Sequence, residues 1–234
     1  MISALLATHA LGKEYRRAGV FVSTLRDVDL EIARGEFVAI VGPSGCGTST
    51  LLSLLGGLTR PTSGTVLVDG VNLSALTAGE QAALRRTKIG FVFQSFALVP
   101  TLTVAENVEL PLILAGVPRA DRPGRVAPLL VATGLEAQQD FLPAELSGGQ
   151  KKRVGMARTL ANAPAVLLAD EPTRNLDRHS AIAVLDLLAA LRSAGDLTVV
   201  MVTHDADDAH RADRIVELRD GIVVQTTQTA GEVP

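Results

Sequence analysis

Phe37-Val38-Ala39-Ile40-Val41-Gly42-Pro43-Ser44-Gly45-Cys46-Gly47-Thr48-Ser49-Thr50 joins an uncharged apolar run to a glycine-rich turn. Phe37–Val41 reads as a strand buried on both faces, and Ser49–Leu58 reads as the helix after the turn. A Gly-x-x-x-x-Gly-x-Ser turn between strand and helix is the context of a phosphate loop. Its glycines let successive backbone N–H groups point inward at phosphate oxygens, and the helix N-terminus adds partial positive charge. Gly42, Pro43, Ser44, Gly45, Cys46, Gly47, Thr48, Ser49 and Thr50 are the candidate phosphate-binding residues, with Ser49 placed to bind Mg²⁺ through its hydroxyl. Cys46 reads as a small filler. Thr48 stands where the motif calls for lysine. Threonine is neutral and too short to bring a charge to the β- and γ-phosphates. No lysine lies between Lys13 and Lys88, and Arg60 is about 18 Å further along a helix.

Outward from this loop, further short apolar runs at Ile89–Phe93, Val166–Ala169 and Thr198–Thr203 read as parallel strands. Helical patterns at Ala78–Arg86, Arg125–Thr133, Gly148–Leu160 and Ser180–Arg192 fall between them, which predicts an α/β fold. Ile2–Tyr15 and Val20–Ile32 read as strands joined by the basic turn Arg16-Arg17-Ala18-Gly19, and Thr65–Val68 adds another. These predict an antiparallel layer on the nucleotide side. Residues from about 96 to 160 read as an inserted helical subdomain, and Gln225–Pro234 as a frayed polar end. Lys151-Lys152-Arg153 reads as a solvated helix face.

Composition narrows the function. The 234 residues are 47% hydrophobic and 20% charged, which is globular. A net charge of −3 argues against whole-surface binding to nucleic acid, and 3% aromatics argue against base-stacking platforms. The single cysteine cannot form an internal disulfide, which fits a reducing compartment. Phe37–Thr59 is uncharged but carries the polar glycine block, so it does not read as a membrane span. No basic region precedes the apolar Ala4–Ala7, so no signal peptide is expected. The chain reads as soluble, with any membrane link made through a partner.

Val166-Leu167-Leu168-Ala169-Asp170-Glu171 is an apolar strand ending in two carboxylates. Asp170 can hold Mg²⁺, and Glu171, one residue on, can polarise an attacking water. Leu146-Ser147-Gly148-Gly149-Gln150 precedes an apolar-periodic helix that Ser147 can cap, leaving amides open to an anion.

Here the sequence resembles the ATP-binding-cassette (ABC) ATPases, whose signature is LSGGQ. Other motifs of that family fall in order. Gln94 in Phe93-Gln94-Ser95 matches the Q-loop, and Asn175-Leu176-Asp177 the D-loop. His204 in Val202-Thr203-His204-Asp205 matches the switch histidine, and Tyr15 the aromatic that stacks on adenine. The resemblance spans about residues 2–226. Leu51–Gly64, Phe93–Leu112 and Ala169–Asp177 are similar to the ATPase subunits of macrolide-export and lipoprotein-release transporters. It implies a P-loop NTPase (RecA-like) core with an antiparallel β-subdomain and an inserted helical subdomain. One nucleotide-binding domain would span 1–226, with the helical subdomain at about 96–160 and a polar tail at 227–234.

The resemblance implies ATP and Mg²⁺ as cofactors, with Ser49, Gln94 and Asp170 on the metal. It makes Glu171, His204 and Gln94 catalytic. Tyr15, Gly42–Thr50, Ser147, Gly148, Gly149, Gln150 and Asp177 then contact nucleotide. It implies a head-to-tail homodimer with an integral membrane transporter subunit, on the cytoplasmic, inner face of the cell membrane. Apolar residues after the Q-loop, Phe96, Leu98, Val99, Leu102 and Val104, are expected to contribute to a groove for that partner. Thr48 stands where this group has lysine, so hydrolysis is expected to be impaired, and Arg174 stands where it has glycine, a bulky cation expected to alter the dimer contact. The alternative is a nucleotide-binding regulatory or scaffold subunit that closes without hydrolysing. A DNA-repair or chromosome-organising ATPase is disfavoured, because this chain has no room for the coiled-coil or zinc insertions of those relatives.

Overall fold

The structure, a computed structural model, describes residues 4–17, 19–94, 98–193 and 197–229. The chain begins with two long strands, β1 (Ala4–Arg17) and β2 (Val20–Ala33). The phosphate-loop strand β3 (Phe37–Val41) leads into helix α1 (Thr48–Leu55). Next come β4 (Ser63–Val68), β5 (Val71–Asn72), α2 (Ala78–Lys88) and β6 (Ile89–Val92). Three helices follow: α3 (Val104–Leu114), α4 (Pro123–Thr133) and α5 (Gly148–Leu160). The chain then returns through β7 (Val166–Asp170), α6 (Arg178–Ser193), β8 (Thr198–Thr203), α7 (Ala206–Ala209), β9 (Arg214–Arg219) and β10 (Ile222–Gln228).

Two sheets result. One is antiparallel, in the order β2-β1-β4-β5. The other runs β10-β9-β3-β8-β7-β6, parallel except for the β9–β10 edge pair. Strand β8 is buried at every position, as expected for an uncharged strand covered on both faces. Helix α1 lies between the sheets, and its Leu51, Leu52, Leu54 and Leu55 join Leu6, Ile32, Ile40 and Val200 in one core. On the other face of the parallel sheet, Val184 and Leu188 of α6 and Met156 of α5 pack on Phe37, Leu167 and Met201. A third core, Val104, Val108, Leu112, Leu130 and Val154, holds α3, α4 and α5 together.

Local signals set the helix starts. Thr77 and Glu80 form a capping box at α2: the Glu80 carboxylate accepts the Thr77 N–H at 2.8 Å, and Thr77 Oγ1 accepts the Glu80 N–H at 3.3 Å. Thr103 and Glu106 repeat it at α3. Helix α1 stops at Leu55, short of the predicted Leu58, because Gly56 and Gly57 follow. Gly57 has φ +62, and a Cβ on Gly56 would lie 1.9 Å from the Phe91 ring. Two expectations of loose chain are corrected. Strand β1 runs on through Arg17, whose residue faces Val20 of β2 across what was read as turn. Gln225–Gln228, read as frayed, pair with Arg214–Glu217 of β9.

Candidate nucleotide site

The loop after β3 is glycine-rich for steric reasons. Gly45 and Gly47 have φ +85 and +107, the region that side chains other than glycine rarely adopt. A Cβ on Gly42 would lie 2.2 Å from the Leu218 carbonyl oxygen and 2.5 Å from Cys46 Sγ. Cys46 is buried in the core, its amide bonded to the Pro43 carbonyl at 3.0 Å, as befits a filler. The Cys46 carbonyl accepts the Gly221 N–H at 3.1 Å, so the β9–β10 turn braces the loop from behind. No side chain caps α1, which leaves its first-turn amides to an anion. Thr48 is half-buried at the first position of that helix.

Ser49 Oγ donates to Asp170 Oδ1 at 3.2 Å, tying the loop to the end of β7. A hydroxyl beside a carboxylate is a hard-oxygen set of the kind Mg²⁺ takes, so the residues fit the ion. The Asp170 carboxyl is pushed above the usual carboxylate range, chiefly by burial. The Ser49 hydroxyl acts the other way, Glu171 adds to the rise, and Lys152 and Arg174 oppose it. A bound divalent cation favours the charged form of such a group.

Strand register explains the next contact. Asp170 of β7 pairs with Val202 of β8, so the residues just past these strands emerge side by side. Glu171 donates its N–H to the Val202 carbonyl at 2.9 Å and adopts φ +49, uncommon for a non-glycine residue. Its Oε1 lies 2.8 Å from Nδ1 of His204, which is largely exposed. The carboxyl ends of parallel strands thus gather Gly42–Thr50, Asp170, Glu171 and His204, as open α/β sheets do at their ligand crevices.

Other expected residues stand apart. Tyr15 sits on the antiparallel layer opposite Val22, partly exposed, with Lys13 Nζ 4.9 Å from its ring centroid. Gln94 follows β6 and is exposed. Ser147–Gln150 form a capping box at α5: Gln150 Oε1 accepts the Ser147 N–H at 2.8 Å, and Ser147 Oγ accepts the Gln150 N–H at 3.2 Å. Asp177 precedes α6, accepting the Ser180 N–H at 3.0 Å and its hydroxyl at 2.6 Å. The Ser180 hydroxyl is the main cause of its carboxyl lying below the usual range. These two groups abut each other: a Cβ on Gly149 would meet Ser180 Oγ at 2.7 Å, and one on Gly148 would meet Leu176 at 3.6 Å. Among the described residues, no hydrogen bond links them to the phosphate loop.

The reading of Lys151-Lys152-Arg153 as a solvated face is corrected at Lys152. Lys152 is 1% exposed, and its Nζ donates to the carbonyls of Phe93 at 3.2 Å and Gln94 at 2.8 Å. Charge runs hide such a residue, because nothing local says which face packs. Asp208, from the acidic Asp205–Asp208 run, likewise carries no local sign of its partner. It accepts a hydrogen bond from Thr173 Oγ1, and burial raises its carboxyl above the usual range. Arg174 closes a turn with its N–H 3.2 Å from the Glu171 carbonyl, and its side chain is exposed. Of the expected groove residues, Leu98 packs on the helical core, Val104 is fully buried and Phe96 lies outside the described residues. A cavity of about 530 Å³ lies nearby, lined by Arg85, Phe91, Leu110, Pro111, Leu114 and Arg158.

Residues 25–174 match the profile of the family described as ABC transporter. Over 213 residues the chain is 50% identical to a pyoverdine export ATP-binding/permease protein of Pseudomonas syringae pv. syringae, covering 91% of this chain and 32% of that protein. Over 223 residues it is 46% identical to a macrolide export ATP-binding/permease protein of Brucella melitensis, covering 95% and 34%. It therefore spans about a third of the length of the curated relatives it matches. A dimeric post-hydrolysis ATP-binding cassette bound to ADP and Pi matches with a TM-score of 0.89 and 41% identity, over 97% of this chain and 99% of that one. The protein cbiO1 of Clostridium perfringens, part of the ABC transporter complex cbiONQ, matches with a TM-score of 0.88 and 30% identity, over 97% of this chain and 89% of that one.

Proposed function

The chain belongs to the ABC transporter family as an ATP-binding cassette, and from this we propose that it binds Mg·ATP in a head-to-tail homodimer whose closure drives a membrane partner. The Glu171–His204 contact at 2.8 Å, beside the Ser49–Asp170 bond at 3.2 Å, carries this reading. It gives a base, a charged or dipolar neighbour to hold that base, and a metal-binding oxygen pair at one strand edge. Mg²⁺, held by Ser49, Asp170 and Gln94, would neutralise charge on the β- and γ-phosphates. The loop amides would cradle the phosphates, and Tyr15 would stack on adenine. Glu171 would orient the attacking water, and His204 would keep the carboxylate aimed at it. The second cluster, Ser147–Gln150 with Asp177, would complete the site of the opposite protomer, since one chain leaves it apart from its own loop.

Thr48 is the gap in this site. Removing one member of a buried charge pair costs roughly 2–5 kcal/mol, so nucleotide binding should weaken rather than vanish. Loss of one preorganised electrostatic donor costs about 10²–10³ in rate. We expect slow hydrolysis in this chain, with the fold intact. The test is phosphate release by the chain, alone and with its membrane partner, before and after Thr48→Lys. A gain of about 10²–10³ supports the reading. Fast turnover in the unmodified chain would overturn the role given to Thr48. Restored binding with no gain in turnover would favour the second reading, a non-hydrolysing scaffold subunit, for which Thr48 is the specific observation.

The membrane partner is proposed from the relatives. They are ATP-binding/permease proteins about three times the length this chain matches. No helix among the described residues is long and apolar enough to cross a membrane. The cavity lined by Arg85, Phe91, Leu110, Pro111, Leu114 and Arg158 is the proposed seat for a cytoplasmic segment of that partner. Docking there would hold the cassette on the inner face of the cell membrane.

A further inference from the structure

Lys152 is the buried cation that the proposed chemistry leaves unused. It is 1% exposed on α5, two residues past the signature, and its Nζ bonds the carbonyls of Phe93 at 3.2 Å and Gln94 at 2.8 Å. Hydrogen bonds from an ionised donor are roughly twice as strong as neutral ones. Burial lowers the lysine's affinity for its proton, while the charges of Asp170 and Glu171 raise it. Lys152 thus holds the Q-loop backbone directly, and the charges of Asp170 and Glu171 reach it only electrostatically.

Lys152 sits four residues after Gly148, on the same helix face one turn on. Helix α5 runs from the Ser147 cap to Leu160 with no proline inside it. A shift of its N-terminus therefore carries Lys152 with it. Carbonyls held by a charged donor must follow, or lose both bonds.

We infer that Lys152 is a positioning residue that couples the signature helix to the Q-loop of its own chain. Engagement of Ser147–Gln150 at one composite site thereby sets the placement of Gln94 at the other. The inference rests on the two-site dimer reading above. In it, the signature and the Q-loop of one chain serve different nucleotides, and Lys152 is the strut between them.

The experiment uses the full chain carrying Thr48→Lys, with its membrane partner, and measures phosphate release against ATP concentration. Lys152→Met fills a similar volume without donors, and Lys152→Gln keeps an N–H donor without the charge. Lys152→Thr, too short to reach the carbonyls, replaces the Met variant if that one does not fold. For two coupled sites the parent should show a Hill coefficient above about 1.5. Lys152→Met should bring it to about 1 and lower kcat by about 10–10²-fold, since misplacing a site by an ångström costs that much. Lys152→Gln should recover at least half of the lost cooperativity. A fall in kcat with the Hill coefficient unchanged would overturn the coupling and leave a local packing role. No change in either would overturn it outright. A Hill coefficient of one in the parent, before any change at Lys152, would sink the two-site reading and this inference together.

Discussion

Replacing Thr48 by lysine adds a charge at a half-buried helix start whose first-turn amides no side chain caps. In that background, Glu171→Gln keeps the size of the side chain but removes the base. Phosphate release should fall by at least about 10²-fold while ATP affinity stays within about twofold, checked by nucleotide titration and steady-state turnover. Persistent turnover would show that another group handles the water. These residues were legible in the sequence because each sits at a fixed offset from an apolar strand: Ser49 after Phe37–Val41, Asp170 and Glu171 after Val166–Ala169, His204 after Thr198–Thr203. Lys152 was not legible, because its burial depends on which face of α5 meets the end of β6, a tertiary matter. The pairing of Thr173 with Asp208 is hidden for the same reason: it spans elements that the sequence does not relate.

The segment Ser147–Gln150 is a structural device in its own right. Ser147 and Gln150 satisfy each other's amides at the start of α5, so Gln150→Ala removes the acceptor for the Ser147 N–H. It should lower unfolding stability by about 1 kcal/mol, read as a drop in the denaturation midpoint. Gly149→Ala should do more damage. Its methyl group would stand 2.7 Å from Ser180 Oγ and 2.9 Å from Ser180 Cβ, forcing α5 and α6 apart and straining the Asp177–Ser180 cap. Overpacking of this kind costs about 1–3 kcal/mol, and adding Ser180→Gly should recover part of it in the same denaturation assay. The start of α5 was readable from Ser147. The helix end at Leu55 was less so, because it depends on Gly56 lying against the distant Phe91.

Across the whole molecule, the cavity between α2, β6, α3 and α5 lies where the helical layer joins the parallel sheet. Leu114 lines it while 68% exposed, so Leu114→Glu should shift the thermal midpoint little, by under about 0.5 kcal/mol of stability. The same change should cut the ratio of partner-stimulated to partner-free ATP turnover by about tenfold, measured with the membrane protein in vesicles, as loss of a central apolar anchor does at interfaces. An unchanged ratio would place the docking surface elsewhere. The two-sheet plan was visible in the alternation of strands and helices. The order of strands was not, since β3 pairs with β8 and β9 from the far end of the chain.

That distant pairing governs how the protein is born. The phosphate loop is complete when the ribosome has made Thr50, but β8 and β9, the neighbours of β3, and the bracing Gly221 come much later. At about 5–20 residues per second, roughly 10–35 s of translation separate Val41 from Leu218. Until β8 is made at Thr198–Thr203, β3 has no strand on either side, and an apolar, uncharged segment waits for both. A nascent chain stalled before β9 should hold no nucleotide however long it waits. Codon choice and chaperone capture between these two points, rather than anything in the loop itself, then decide how many newly made chains fold with that loop braced.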